Sequence, residues 1–166
     1  MLGPLDRLAG PVDVVLVMGI GANLARRRAF EHARRLGYTV LPVVHPSAIV
    51  GRECTIGAGA VLLARVTVNT GTRIGDNVIL NTSCSVDHDC NIGSHAHLAP
   101  GTTLAGNVLV GEEAFIGAGT VAIPGVRIGA RAIVGAGAVI VRHLPEDCVA
   151  RGVPARVVSE SGATAT

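Results

Sequence analysis

Between Asn81 and Gly101 the chain reads NTSCSVDHDCNIGSHAHLAPG, and three of its six histidines, His88, His95 and His97, fall within ten residues of that stretch. Asp87 and Asp89 bracket His88. A carboxylate bonded to one imidazole nitrogen fixes the tautomer and raises the basicity of the other nitrogen, which makes a neutral histidine held this way a general base near pH 7. His88, with one of these two carboxylates, is therefore the catalytic candidate. The bland alternative is a set of surface histidines with no role. A third reading is a metal site, because three neutral imidazoles with an open position are the usual catalytic zinc set.

The elements that must position these residues follow from a repeat. Stepping by six from Val44 to Ile140 visits seventeen positions, and all but Ala122 are Val, Ile or Leu. An unpatterned chain with 49 such residues in 166 would place about 5 there. The fifth residue of each hexad is small, from Ala48, Cys54 and Ala60 through Ala138, with Leu144 the exception. The second is Gly, Asn or Asp in eleven of seventeen hexads, types that tolerate the positive φ of a tight corner. One large and one small inward residue per six is the requirement of a three-sided parallel β-helix, one hexad per side and eighteen residues per coil. A helix would repeat at 3.6 and an exposed strand at 2. The fold class is thus mainly β, a prism about 27 Å tall at the inter-strand spacing.

This register places His88 third, His95 fourth and His97 sixth in their hexads, so none points inward. His88 and His97 are half a coil apart and face different directions. They can build one site only if His97 of the partner subunit is brought to His88, which predicts a cyclic homotrimer with shared sites. Cys54, Cys84 and Cys90 take the small inward position and read as buried thiols serving as small hydrophobes.

Ahead of the array, Val12 to Met18 reads as a buried strand, Gly19, Gly21 and Asn23 as a turn, Leu24 to Leu36 as a helix stopped by Gly37, and Tyr38 to Val44 as a second strand. That is one βαβ unit. The turn lacks the third glycine of a dinucleotide fingerprint, leaving either a plain strand-to-helix turn or a contact with a nucleotide or sugar at the helix N-terminus. Arg26, Arg27, Arg28, Arg34 and Arg35 read as a solvated helix face rather than a phosphate site. Ser159 to Thr166 is small and polar, and is expected to fray. The 14 basic residues are all arginine against 12 acidic ones, too small an excess for a nucleic-acid binder. No apolar run reaches the roughly 18 residues of a membrane span. With no secretion signal and no CxxC pair among four cysteines, a cytoplasmic protein is expected.

The hexads, Asn81-Thr82-Ser83, Asp87-His88-Asp89-Cys90, Gly93 to His97, Ala105-Gly106-Asn107 and Gly152-Val153-Pro154-Ala155 together resemble the hexapeptide-repeat sugar acetyltransferases, specifically the nucleotide-amino-sugar N-acetyltransferases and the sialic acid O-acetyltransferases. The resemblance runs from about Val14 to Val158. It implies a left-handed β-helix over 46–145, a truncated Rossmann-like βαβ unit on the acceptor side over 1–45, and a C-terminal extension over 146–166. It also implies a trimer, acetyl-CoA in the groove between prisms, and His88 as the base in direct transfer to an amino sugar. The resemblance makes Asp89, which stands where a glutamate is frequent, the catalytic acid that orients the imidazole. His97 of the partner subunit matches the residue beside the acetyl group, and Gly106, Ala118 and Ala136 match positions whose main chain holds the cofactor. Gly19, Gly21 and Asn23 fall on the acceptor side. Family members begin with a further strand, glycine-rich loop and helix that hold the nucleotide, and about eleven residues stand there in this chain. The expectations are therefore a shortened start, a smaller acceptor, or a non-catalytic trimeric scaffold that has lost transfer. Trimeric β-helix enzymes of the gamma carbonic anhydrase type need another histidine some thirty-five residues ahead of a histidine pair, and nothing between His45 and His88 supplies it, so no metal is expected.

Overall fold

Seventeen two-residue strands, from β3 (Val43–Val44) to β19 (Val139–Ile140), recur every six residues. Each pairs in parallel with the strand one coil away, Ser85 with Thr103 and His97 with Phe115 for example. In this computed structural model, which describes residues 15–160, these seventeen strands stack into three parallel sheets of six, five and six strands, the last extended to eight by two further strands. The chain is a three-sided parallel β-helix. The eight-stranded sheet is lengthened by β20 (Cys148–Arg151) and the antiparallel β21 (Arg156–Glu160). Ser159 pairs with Val149 there, so the expected fraying at Ser159 gives way to a ladder; residues 161–166 lie outside the described residues.

The interior is filled as the hexads require. Leu62, Leu80, Leu98 and Ile116 stack at full burial, with Ala60, Val78, Ala96 and Ala114 as their small companions. Each such Leu or Ile contributes about 1.5–3 kcal/mol of burial. Where the small residue is polar, its side chain bonds the carbonyl fifteen residues on: Cys54 to Asn69, Thr72 to Asp87, Cys84 to Ala99, Cys90 to Ala105, Thr102 to Gly117 and Thr120 to Gly135. Burial pushes the Cys84 and Cys90 thiols up, away from reactive thiolate.

The corners correct one sequence expectation. Positive φ falls on the fourth residue of the hexad, and many of these are not glycine: Glu53, Arg65, Asn77, Asp89 and His95 lie between 56° and 64°. The second-position glycines are needed for close approach instead. A Cβ on Gly111 would lie 2.3 Å from Ala130 N, and one on Gly117 2.5 Å from Ala136 N, so the next coil's backbone occupies the space.

The N-terminal unit is β1 (Val15–Leu16), α1 (Asn23–Arg35) and β2 (Thr39–Val40), with β1 and β2 paired in parallel. Gly37 ends the helix at φ +83°. Residues 12–14 of the expected first strand lie outside the described residues, and the remainder is not buried throughout: Val15 and Val17 are exposed while Met18 is covered. The expected strand from Tyr38 to Val44 is divided at Pro42, whose missing N–H interrupts the ladder. Thr39–Val40 completes the small sheet, whereas Val43–Val44 is the first rung of the prism. Among the described residues no helix is long and apolar enough to cross a membrane.

The helix docks through Ala29, Phe30 and Ala33, which pack with Met18, Tyr38 and Val40, and through Arg26. The solvated-face reading of the arginines fails for this residue. Arg26 is fully buried, and its guanidinium donates to the carbonyls of Asn77, Ile20, Gly21, His95 and Ala96 and to Asn23 Oδ1. Burial lowers its pKa to about 10. Arg27 bonds Glu31 and Glu113, Arg34 reaches Asp76 at 3.3 Å, and Arg28 and Arg35 are exposed. Arg26→Ala strands several buried carbonyls and is expected to destabilise α1 by about 3 kcal/mol. Amide exchange should accelerate in residues 16–40 and stay unchanged in the coils beyond Gly101.

Candidate active site

The turn after β10 (Ser85–Val86) lies on the edge joining the six- and five-stranded sheets, and it carries the catalytic candidates. His88 Nδ1 and Asp89 Oδ2 are 2.9 Å apart. Asp87 faces the other way: its Oδ1 accepts the His88 main-chain N–H at 2.8 Å and the Asn69 amide at 2.8 Å. Asp89 therefore orients the ring while Asp87 holds the backbone. The hydrogen bond to Asp89, with the charges of Asp87 and Asp89, raises the His88 pKa above the ordinary imidazole value. The Nδ1–Asp89 contact leaves Nε2 as the proton-accepting atom.

Two glycines make room for this dyad. A Cβ on Gly106 would stand 2.5 Å from His88 Nε2 and 2.6 Å from Cε1, so the imidazole lies directly over the Gly106 Cα. A Cβ on Gly71 would stand 2.4 Å from Asp89 Oδ1. Gly106 is 88 + 18 and Gly71 is 89 − 18, the adjacent coils of the same edge. Asn69, at 87 − 18, completes the set. Sequence reasoning missed Asn69 and Gly71, and a search one coil either side of the Asp-His-Asp run would have found both.

His97 is placed otherwise. It sits in β12 (His97–Leu98) of the eight-stranded sheet, the face opposite the His88 edge, so the two rings do not meet within one chain. Nδ1–H donates to the Gly21 carbonyl at 3.2 Å, and Nε2 accepts from Asn81 Nδ2 at 3.3 Å. The ring meets Phe115 edge-on with centroids 5.3 Å apart. Burial lowers its pKa and keeps it neutral at pH 7. Asn81 was visible in the sequence only as part of the family motif, and its pairing with His97 is a structural finding. His95 is buried beneath α1, its Nδ1 bonded to Asn77 at 2.8 Å and its ring edge-on to Phe30. The three histidines thus point to three different surroundings and do not converge on one point.

Gly21, Asn23, Leu24, His97, Phe115 and Ile133 are among the residues lining a groove of about 530 Å³. Gly21, which lines this groove, and Gly19, which lines a second cavity of about 290 Å³ with Gly21, Asn81 and His97, have open space where a Cβ would be, which leaves their main chain approachable. Asn23 is committed to the scaffold: its amide donates to the Glu113 carbonyl at 2.8 Å and its oxygen accepts from Arg26. Ala118 and Ala136 lie exposed one coil apart on the edge joining the eight- and six-stranded sheets, Ala118 two-thirds of a coil beyond Gly106.

Comparison with known proteins agrees with this architecture. The family pattern described as bacterial transferase hexapeptide (six repeats) matches residues 71–106 and 107–142, and the hexapeptide repeat of succinyl-transferase matches 43–64 and 48–88. Among solved structures, PerB from Caulobacter crescentus, determined with CoA and GDP-perosamine, is 46% identical over 87% of this chain and 70% of its own, with a TM-score of 0.86. The acetyltransferase domain of PglB from Neisseria gonorrhoeae FA1090 is 36% identical over 93% of this chain and 75% of its own, with a TM-score of 0.90. WeeI from Acinetobacter baumannii AYE is 29% identical, covering 93% and 76%, with a TM-score of 0.87. The comparison with curated proteins finds no match. With a repeat pattern spanning residues 43–142 and two such relatives covered over more than two thirds of their length, the chain belongs to the hexapeptide-repeat acyltransferases, in the nucleotide-amino-sugar N-acetyltransferase subgroup.

Proposed function

We propose that the protein moves an acetyl group from acetyl-CoA to the amine of a nucleotide-linked amino sugar. The observation that carries this reading is the His88–Asp89 dyad, exposed on a prism edge with Nε2 free to take a proton. Acetyl-CoA supplies the acyl group as a thioester. His88 Nε2 removes the proton of the attacking amine as the N–C bond forms and returns it to the thiol sulfur as the C–S bond breaks. Amine and thioester become amide and thiol, with no net proton change and no acyl-enzyme. Asp89 stabilises the imidazolium in between.

The opposed placement of His88 and His97 supports a homotrimer in which His97 of the partner subunit stands beside the acetyl group. Main-chain groups of Gly106, Ala118 and Ala136 hold acetyl-CoA in the groove between adjacent prisms. Gly19 and Gly21 meet the acceptor sugar on their open side, and Asn23 shapes that loop. The cytoplasm is the compartment that suits this chemistry, since it supplies acetyl-CoA and keeps thiols reduced.

The test is release of CoA thiol from acetyl-CoA in the presence of nucleotide amino sugars, GDP-perosamine included, with one thiol per amide formed. Because Asp89 holds the His88 pKa up, kcat/KM should fall as pH drops through a limb lying above the ordinary imidazole value of about 6.5. Asp89→Asn removes that support, so the limb moves to lower pH while the plateau falls. Failure of every amino sugar to release thiol would favour the scaffold reading and overturn the transferase.

A further inference from the structure

Residues 87–90 form a four-residue turn with His88 and Asp89 at its centre. Such turns are ordinarily closed by a bond from the fourth N–H to the first carbonyl. Corners on the other two edges do this, Cys84 N–H to Asn81 O at 3.0 Å and Ala96 N–H to Gly93 O at 3.3 Å, whereas the corners stacked on the dyad's own edge, 69–72, 105–108 and 123–126, are open. At the dyad the two ends meet through a side chain from the coil before. Thr72 Oγ1 accepts the Cys90 N–H at 3.1 Å and donates to the Asp87 carbonyl at 2.8 Å. Thr72 is fully buried. The other polar residues at this hexad position, Cys84, Thr102 and Thr120 among them, donate to carbonyls, while Thr72 both donates and accepts.

We propose that Thr72 is a positioning residue for the dyad: its hydroxyl closes the turn that carries His88 and Asp89, and so sets the angle at which the imidazole meets the carboxylate. This rests on reading His88 as the base. Nothing else inside the prism reaches both ends of the turn, whereas Asn69 grips it only from outside, through the Asp87 carboxylate. Without the hydroxyl, Asp87 O and Cys90 N–H lose their buried partner, and the two ends of the turn are no longer tied to each other. The 88–89 peptide stays tied to the adjacent coils, Asp89 N–H to Thr70 O at 3.0 Å and Asn107 N–H to His88 O at 2.9 Å, so the loosened ends twist about it and turn the two side chains relative to each other. A small displacement of this kind is costly for a base, whose efficiency depends on orientation. The fold itself does not need the hydroxyl. Val108 and Val126 occupy the equivalent position in later coils of the same column and are buried, and in another column alanine fills the same place in the hexad at Ala60, Ala96 and Ala114.

The experiment follows the His88 ring by NMR through a pH titration, its signal assigned by its loss in His88→Ala. Asp87 and Asp89 beside the ring, and Arg73, which shares a small cavity with Asp89, are unchanged in every Thr72 variant. Thr72→Val and Thr72→Ala should shift the His88 midpoint most of the way to that of Asp89→Asn, whereas Thr72→Ser keeps the wild-type midpoint. With acetyl-CoA and GDP-perosamine, kcat should drop about tenfold in the valine and alanine variants with KM for acetyl-CoA unchanged, and return in the serine variant. A wild-type midpoint in both Thr72→Val and Thr72→Ala, alongside a shifted one in Asp89→Asn, overturns the proposal. Absence of transfer by the wild type would instead overturn the proposed reaction, and the titration would still decide the role of Thr72.

Discussion

Replacing His88 with alanine is expected to lower kcat for acetyl transfer by about 10²- to 10⁴-fold, the range that a general base supplies, with KM for acetyl-CoA little changed. The ring is exposed and its removal opens no interior cavity, so the melting temperature should hold. The same variant tests whether the site is shared between chains. His88→Ala and His97→Ala subunits, each impaired alone, can be dissociated and reassembled together. If each site takes its base from one chain and its second histidine from the next, about a quarter of the sites in a random cyclic mixture contain both rings, and activity returns to that level. If both histidines act within one chain, every site in the mixture stays defective. Recovery of activity therefore distinguishes the two arrangements without knowledge of the natural sugar.

Gly106→Ala is expected to be nearly as damaging. The new methyl would occupy the position of His88 Nε2, and the three nearest atoms to it all belong to that ring. The backbone at Gly106 is not among the left-handed residues, so alanine is conformationally acceptable there. Relief comes from rotation of the imidazole, which is half exposed and free to swing. The fold should therefore lose less than about 1 kcal/mol, while the base leaves Asp89 and kcat falls about 10²-fold. Two readouts separate this from general damage. The pH limb should move down with loss of the Asp89 contact, and the His88→Ala, Gly106→Ala double variant should be no slower than His88→Ala alone. A double variant markedly slower than either single change would show that Gly106 acts on something other than the ring.

Much of this was legible beforehand because a period of six is unambiguous: the inward residues, the uninterrupted coils and the outward placement of His88 and His97 all follow from counting. The His88–Asp89 pair was legible because its members are adjacent. Arg26 was not, since an arginine in a run of arginines looks solvated until carbonyls from Asn77 and His95, distant in the chain, are set around it. The corner glycines misled in a different way. Their abundance suggested backbone freedom, whereas the left-handed corner sites include Glu53 and Arg65 and the glycines serve interlayer clearance. Asn69, Gly71 and Thr72 were missed because they act on the dyad from the preceding coil, a relation that appears only once residues eighteen apart are treated as neighbours.

Strand partners are eighteen residues apart, the tight glycine contacts nineteen and the hydroxyl and thiol bonds fifteen, all counted against one coil. An insertion or deletion that is not a multiple of six takes the later aliphatic residues out of their inward register, as a slip does in any sheet, and one of six or twelve keeps them inward but carries every later residue to another side of the prism. Growth that leaves each later residue on its own side is thus restricted to whole storeys of about 4.8 Å. The distance along the axis between His88 and either end of the array can then change during evolution only in those discrete steps, which makes the solenoid a graduated scale.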